Sequence, residues 1–335
     1  MSKKRVLGPA IACRGLICGG LMALTGHIAL PAAAAPTDYP TKPIRLVIPF
    51  APGGGFEVGL RPLAQELSQR LEQAVVVDNR GGAGGIVGTE IVARAIPDGY
   101  TLLGGSVSLA SLPGLYKNLA FDPIKDFAPI SIAVTSAYFL LLNSSVQVTS
   151  LKELIALSKQ TPGRLRMGSA GNGSTIHLAG EMLKSMAGID IVQITYKGSG
   201  PAMTALVGNE VQLMFAPTGT SLPLVSAGKI RAIGVSSAKR WAVTPGIPTL
   251  AEAGLPGYEV NGWYGLLAPA KTPQAIVNKL YAETKKALET DSIRTRLSAN
   301  SLEPLGLSPE ESALFIKADI ARWSRVIREA GIAKE

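Results

Sequence analysis

The sequence predicts an α/β fold built from two similar halves. Short aliphatic and β-branched runs alternate with stretches whose apolar residues recur at helical spacing, and glycine-rich turns join them. The alternation begins near residue 44 and begins again near residue 138. Strand, helix and strand joined by short loops favour parallel pairing of the strands. A chain of 335 residues, 47% of them hydrophobic, is long enough to build two cores.

The first half alternates strictly between predicted strands and helices. The run Pro-Gly-Gly-Gly at 52–55 ends the first strand, and apolar residues at helical spacing follow it. The predicted elements are a strand at 44–50, a helix at 61–71, a strand at 74–78, a glycine loop at 81–85, a helix at 88–95 and a strand at 101–105.

The second half repeats this order, and two long helices follow it. Ser150 is predicted to cap the first helix, with Glu153 completing a capping box. The predicted strands lie at 139–142, 166–169, 191–195, 212–216 and 231–235. The predicted helices lie at 151–159, 175–186, 201–207, 273–290 and 308–330.

The restart near residue 138 predicts the domain organisation. We expect lobe one to comprise 39–137 and 265–335, and lobe two to comprise 138–264. The chain would cross between the lobes near Tyr138 and return near Trp263, so that the two C-terminal helices pack on lobe one.

The N-terminus has the pattern of a secretory signal peptide. Residues 3–5 are Lys-Lys-Arg, an apolar run extends to Leu30, and four alanines follow Pro31. We predict a cleaved signal peptide over 1–34 and a periplasmic mature protein. An uncleaved membrane anchor is disfavoured, because Arg14 and several glycines interrupt the apolar run. A lipid-modified Cys18 is disfavoured by the preceding Ile17.

Removal of this segment limits the chemistry available to the mature chain. Cys13, Cys18 and His27 all lie within it, which leaves no cysteine and leaves His177 as the single histidine. A zinc site built from nitrogen and sulfur ligands, a disulfide and a cysteine nucleophile are therefore excluded. We expect no metal, no cofactor and no enzymatic activity.

The charge of the mature chain disfavours nucleic acid as a partner. The first 35 residues hold four of the 33 Lys and Arg residues and none of the 24 Asp and Glu, so the remainder carries a formal net charge of +5. The positive charges are spread along the chain, without the basic, aromatic-rich stripe typical of nucleic-acid binding. Such a surface is compatible with a small anion.

Four turns combine a strand end, glycine or hydroxyl residues and a helix start, at 50–60, 81–88, 169–176 and 196–202. Such turns gather at the carboxyl ends of parallel strands, where α/β folds bind ligands. Glycine allows close approach of a ligand to the backbone, and the helix N-terminus favours an anion. Each turn taken alone is also compatible with an ordinary tight connection.

Two further pairs of residues allow two interpretations each. Ser174 and His177 could form a polar pair at the mouth of a cleft, or His177 could bond locally in the capping turn. Trp263 and Tyr264 could pack on a ligand, or they could bury a hinge strand.

Nine stretches give the chain its resemblance to a known family. They are Tyr39–Arg45 (YPTKPIR), Pro49–Gly55 (PFAPGGG), Val77–Gly85 (VDNRGGAGG), Pro97–Leu102 (PDGYTL), Lys125–Pro129 (KDFAP), Gly171–Gly173 (GNG), His177–Glu181 (HLAGE), Tyr196–Gly198 (YKG) and Trp263–Pro269 (WYGLLAP). In these stretches the chain resembles the extracytoplasmic substrate-binding proteins of tripartite tricarboxylate transporters, the Bug family.

The resemblance implies a two-lobe Venus flytrap fold of the type II-like periplasmic binding proteins, with the ligand in the cleft between the lobes. It implies a monomeric receptor that binds a small organic carboxylate and delivers it to the integral membrane subunits of the transporter, without catalysis. The ligand-binding residues it implies are Pro52, Gly53, Gly54, Gly55, Phe56, Glu57, Ala83, Gly84, Gly85, Ile86, Ser106, Ser169, Asn172, Ser174, Thr175, Tyr196, Lys197, Ser199 and Ala216.

Three of these positions depart from the pattern of the family. Phe56, Ile86 and Ala216 stand where Thr, Asn and Asp are common. The departures favour an aromatic or apolar carboxylate over an amino acid, because an ammonium group would lose an acidic partner and a ring would gain apolar walls. The remaining alternatives are a receptor that feeds a signalling protein and a periplasmic serine hydrolase that uses Ser174 and His177.

Overall fold

The computed structural model describes residues 38–241 and 244–334, and of Glu57 it describes the backbone only. The predicted signal peptide at 1–34 lies outside the described residues. The strands are β1 (Ile44–Ile48), β2 (Val75–Asn79), β3 (Thr101–Ser106), β4 (Phe127–Ser136), β5 (Tyr138–Asn143), β6 (Arg166–Ser169), β7 (Val192–Thr195), β8 (Leu213–Pro217), β9 (Ile230–Val235), β10 (Gly262–Pro269) and β11 (Leu302–Pro304).

The helices are α1 (Gly55–Arg70), α2 (Ile86–Ala93), α3 (Val107–Leu115), α4 (Leu151–Gln160), α5 (Thr175–Ala187), α6 (Ser199–Val207), α7 (Thr218–Ser226), α8 (Gln274–Glu289), α9 (Asp291–Ala299) and α10 (Pro309–Glu329). A 3-10 turn over Ala83–Gly85 precedes α2.

The strands form two mixed sheets. The order of the first is β11-β4-β10-β3-β1-β2, and the order of the second is β7-β6-β8-β5-β9. The expected parallel pairing is present where β1 lies between β2 and β3, and where β6 lies between β7 and β8. β5 and β10 instead pair antiparallel to their neighbours. The two-lobe α/β fold class is confirmed.

The first crossing between the two sheets is very short. β4 ends at Ser136 in the first sheet and β5 begins at Tyr138 in the second, so Ala137 is the single residue between them. The chain returns to the first sheet in β10. Helices α8 and α10 then pack on β4, and α10 also packs on α3.

Two differences from the predicted elements have clear physical causes. The sequence pattern did not reveal α3, because every residue of this helix except Pro113 is buried and so no apolar face alternates with a polar one. Helix α1 begins at Gly55 rather than at residue 61. Its first turn is anchored by tertiary contacts of Phe56, which stacks on Phe50 at a ring-centroid distance of 5.6 Å.

Side-chain capping fixes the starts of α4 and α10 as local sequence rules require. Ser150 Oγ accepts a hydrogen bond from the backbone N–H of Glu153 at 3.2 Å. The Glu153 carboxylate accepts from the N–H of Thr149 at 2.7 Å, one residue before the predicted partner. A complete capping box, with bonds of 3.1 and 2.8 Å, joins Ser308 and Glu311.

Trp263 anchors the hinge strand β10 to α10. Its indole N–H donates to Asp319 Oδ2 at 2.8 Å, and its ring meets Phe315 edge-on at 6.0 Å. Burial raises the pKa of the Asp319 carboxyl, and the hydrogen bond from Trp263 partly offsets that rise. Trp263 is therefore a core residue of β10, in agreement with the interpretation that it buries this strand rather than packing on a ligand.

We expect Trp263→Phe to lower the free energy of unfolding by about 1–3 kcal/mol, because the buried Asp319 carboxyl would lose its donor. Urea unfolding measures the change. Asp319→Asn in the Trp263→Phe background is the control: the neutral amide should be the cheaper group to leave unpaired, so the two substitutions should be non-additive. Strictly additive effects would show that the indole–carboxyl bond contributes little.

Candidate functional site

The four glycine turns of the two halves touch one another in pairs. The Ala51 N–H donates to the Lys197 carbonyl at 3.1 Å, which joins the first turn to the fourth. A Cβ atom on Gly200 would lie 2.6 Å from the Pro52 carbonyl oxygen, and one on Gly84 would overlap the carbonyl of Asn172. The second turn thus touches the third. These contacts require backbone without side chains, since any Cβ would hold the turns apart.

A small cavity of about 40 Å³ adjoins these contacts. Seven of the predicted site residues line it: Gly54, Gly55, Phe56, Ser106, Ser174, Thr175 and Ser199. Six residues outside the predicted list complete it, among them Tyr264, for which contact with a ligand was one of two interpretations: Phe50, Tyr138, Ala170, Ile176, Pro217 and Tyr264.

The N-termini of α1, α3, α5, α6 and α7 all reach this cavity. Their first or capping residues, which line it, are Gly54 and Gly55, Ser106, Ser174 and Thr175, Ser199, and Pro217. Each N-terminus offers unpaired N–H groups and a partial positive charge. No charged side chain lines the cavity in the described part of the chain. The arrangement suits an anion held by backbone groups and helix dipoles.

One wall of the cavity is aromatic. The rings of Phe50 and Phe56 stack at 5.6 Å with an interplanar angle of 23°, and the rings of Phe56 and Tyr264 lie 4.8 Å apart at 59°. Such geometry adds to the stability of the wall beyond the buried area. An apolar wall opposite N–H donors favours a ligand with a charged end and an apolar body.

Two tyrosines from the crossing strands meet at this cavity. Tyr138 opens β5 and Tyr264 lies in β10, and their hydroxyl oxygens are 3.3 Å apart. Burial raises the pKa of both phenols, so each stays a neutral hydroxyl at physiological pH. The position of both residues at a crossing was the sequence signal that could have assigned them to the site.

A second, wider cavity of about 630 Å³ adjoins the first and shares Phe50 and Ala170 with it. It brings together six more of the predicted site residues: Ala83, Gly84, Gly85, Asn172, Tyr196 and Lys197. The exposed Lys197 supplies the one side-chain cation among the residues that line it. The predicted residues are therefore divided between two adjoining chambers.

Five predicted residues line neither cavity: Pro52, Gly53, Ile86, Ser169 and Ala216. Ala216 lies in the middle of β8, where it is fully buried and pairs with Phe139. Ile86 packs against the core. Ile86 and Ala216 therefore do not line the cavities as expected, and of the three apolar departures only Phe56 does so. The side chain of Glu57 lies outside the described part of the structure.

Ser174 and His177 adopt the geometry of a helix cap. Ser174 Oγ accepts the backbone N–H of His177 at 3.2 Å at the start of α5. His177 Nδ1 accepts the N–H of Gly173 at 3.4 Å. A nucleophile and base would instead need the imidazole to accept the serine proton. Within residues 38–241 and 244–334, no group of three or more acidic, histidine or cysteine residues could hold a metal ion.

We expect Gly55→Ala to lower the free energy of unfolding by about 1–3 kcal/mol, because the new Cβ would overlap the Tyr264 hydroxyl. Alanine is the better helix former, so helix propensity alone would predict a gain in stability instead. Chemical denaturation measures it, with the exposed Gly246→Ala as a control that should stay within about 0.5 kcal/mol of wild type. An equal cost of Gly55→Ala in a Tyr264→Ala background would contradict the proposed overlap.

Comparison with known proteins agrees with this architecture. The tripartite tricarboxylate transporter family receptor domain matches residues 60–332. The protein BugT of Bordetella pertussis is 34% identical over 314 residues, which cover 93% of this chain and 96% of BugT. Among the helices of the described residues, none is both long and apolar enough to cross a membrane.

Two solved structures with bound acids are similar over most of the chain. The R. palustris protein Rpa4515 with adipate has a TM-score of 0.86 and 37% identity, and the match covers 89% of this chain and 100% of that one. MatC from Rhodopseudomonas palustris with bound malate has a TM-score of 0.83 and 32% identity, with coverages of 86% and 100%.

Proposed function

Because this chain belongs to the tripartite tricarboxylate transporter receptor family, it is a periplasmic solute receptor, and we propose that its ligand is a small organic carboxylate with an apolar or aromatic body. The observation that carries the proposal is the convergence of five helix N-termini on one cavity without a charged side chain among its described lining residues.

The carboxylate end of the ligand would lie against these N-termini. A carboxylate is an acceptor only and takes several N–H bonds at once, each of them charge-assisted. Each helix dipole adds about 0.3–1 kcal/mol, and up to about 2 kcal/mol in a partly buried site. The acids named with the two R. palustris structures, adipate and malate, support this ligand class.

The ligand's body would pack on the wall formed by Phe50, Phe56 and Tyr264. Burial of about 100 Å² of apolar surface contributes roughly 2–3 kcal/mol at 25 cal/mol per Å². An α-amino acid would forgo part of this contribution. Its ammonium group would also meet helix N-termini of the same sign, and the described lining residues offer it no acidic side chain.

Ligand binding would be coupled to closure of the lobes over the cavity. In this proposal lobe one, 39–137 and 265–335, and lobe two, 138–264, rotate about the crossings at Ala137 and β10. The backbone contacts of Ala51 with Lys197 and of Gly84 with Asn172 hold the closed form. The monomeric receptor, exported by a cleaved signal peptide, delivers its cargo to the membrane subunits of the transporter and performs no catalysis.

A thermal-shift screen tests the ligand class. We expect aromatic monoacids, aromatic diacids and adipate to raise the melting temperature more than citrate, glutamate or succinate, because bound ligand stabilises the folded state by mass action. Shifts produced by glutamate or citrate alone would overturn the apolar body while leaving the carboxylate receptor intact. A complete absence of shifts across these acids would overturn both.

Glycine substitutions test the role of the turns. We expect Gly54→Val and Gly84→Val each to weaken the binding of the best acid of that screen at least tenfold in calorimetry. Valine at 54 would press on Ser199 Oγ, which lies 2.5 Å from an ideal Cβ, and valine at 84 would press on the Asn172 carbonyl. Gly246→Val is the control, since a Cβ there meets open space. Unchanged affinity in both test variants would refute the closure contacts.

A further inference from the structure

Two tyrosine hydroxyl groups meet at the first cavity. The Tyr138 hydroxyl lies 3.3 Å from that of Tyr264. The Tyr264 hydroxyl lies against Gly55, the first residue of α1, where a Cβ would overlap it. Thr175, the first residue of α5, lines the same cavity. The hydroxyl pair therefore lies beside the N-terminus of α1, in a cavity that the N-terminus of α5 also reaches.

The two hydroxyl groups carry more protons than the bond between them uses. Each tyrosine hydroxyl has one proton that it can donate, and the bond between the two oxygens uses one of the two protons. The second proton is left on the tyrosine that accepts this bond. Among the described residues, neither hydroxyl has a further hydrogen-bond acceptor.

Other donors lie beside this hydroxyl pair in the cavity. Backbone N–H groups at the first turns of α1 and α5 have no carbonyl partner within their helices, although Ser174 Oγ caps the N–H of His177 in α5. The spare hydroxyl proton adds one more donor beside them. A carboxylate accepts hydrogen bonds from several such donors at once, whereas an ammonium group accepts none.

We propose that the hydroxyl pair of Tyr138 and Tyr264 donates this spare proton to the ligand carboxylate and thereby determines the preference of the site for an acid over its amide. This inference rests on the proposed function and assigns its specificity to the two crossing tyrosines. Since burial raises the pKa of both phenols, the donors persist over the physiological pH range.

The location of the two tyrosines also links recognition to closure. Tyr138 begins β5 directly after the crossing at Ala137, and Tyr264 lies in β10, by which the chain returns. A carboxylate bound to the hydroxyl pair of Tyr138 and Tyr264 is linked to both crossing strands at once. The acid would therefore stabilise the arrangement of the two strands that is present in the closed lobes.

The test uses Tyr264→Phe and Tyr138→Phe in the full-length mature protein, since phenylalanine keeps the ring and removes the hydroxyl. Calorimetry with adipate, benzoate, succinate and citrate gives affinities, and adipamide and benzamide are the uncharged comparisons. We expect Tyr264→Phe to weaken acid binding roughly tenfold to hundredfold, the loss expected for one charge-assisted hydrogen bond. The preference for acid over amide should fall in both variants.

Tyr258→Phe is the matched control. Tyr258 is also a fully buried tyrosine, and its hydroxyl donates to the Ala179 carbonyl at 2.7 Å without lining the first cavity. We expect it to lose stability and to keep the acid-over-amide preference. A variant of Tyr138 or Tyr264 that only disturbed packing would weaken acid and amide equally, and that result would overturn the inference.

The outcomes separate the two proposals. Suppose that wild type binds one of the four acids and that Tyr138→Phe and Tyr264→Phe both bind it as tightly as Tyr258→Phe does. The hydroxyl pair then has no role in binding, and the proposal of a carboxylate receptor stands. If wild type binds none of the four acids, the proposed function is wrong and the inference is wrong with it.

Discussion

The site depends above all on the close approach of bare backbone at the glycine turns. Gly84 lies against the Asn172 carbonyl and Gly200 against that of Pro52, so the two lobes touch through peptide groups without intervening side chains. This approach brings the first residues of five helices around one cavity. The chemistry of the site then follows from orphan N–H groups and helix dipoles rather than from charged side chains.

An anion site without a cationic side chain has a physical advantage for a receptor that must release its ligand. Backbone donors are fixed by the helices, so little conformational entropy is lost when the ligand binds, whereas an Arg or Lys side chain would have to be ordered. Their partial charges are dispersed, and the ligand is not held by a buried ion pair. Lys197 lines the second, wider cavity, where its positive charge would attract an approaching anion at long range.

Neighbouring residues of strand β10 have different roles, one structural and one at the cavity. Trp263 and Tyr264 follow each other in β10, and successive side chains of a strand point to opposite faces. Trp263 accordingly bonds Asp319 on α10, while Tyr264 meets Phe56 of α1 and the cavity. A single strand thus anchors the C-terminal helix of the chain and presents a hydroxyl to the site.

The sequence by itself determined the α/β class, most of the strands and helices in their order, the cap at Ser150 and the turns that form the site, because these features depend on local propensity and periodicity. Tertiary structure decided which side chains line the cavity. Phe56 reaches it, whereas Ala216 and Ile86 line neither cavity, and α3 stayed hidden because it is buried on all sides. The meeting of Tyr138 with Tyr264 joins residues 126 positions apart, and only the pairing of strands in three dimensions brings such residues together.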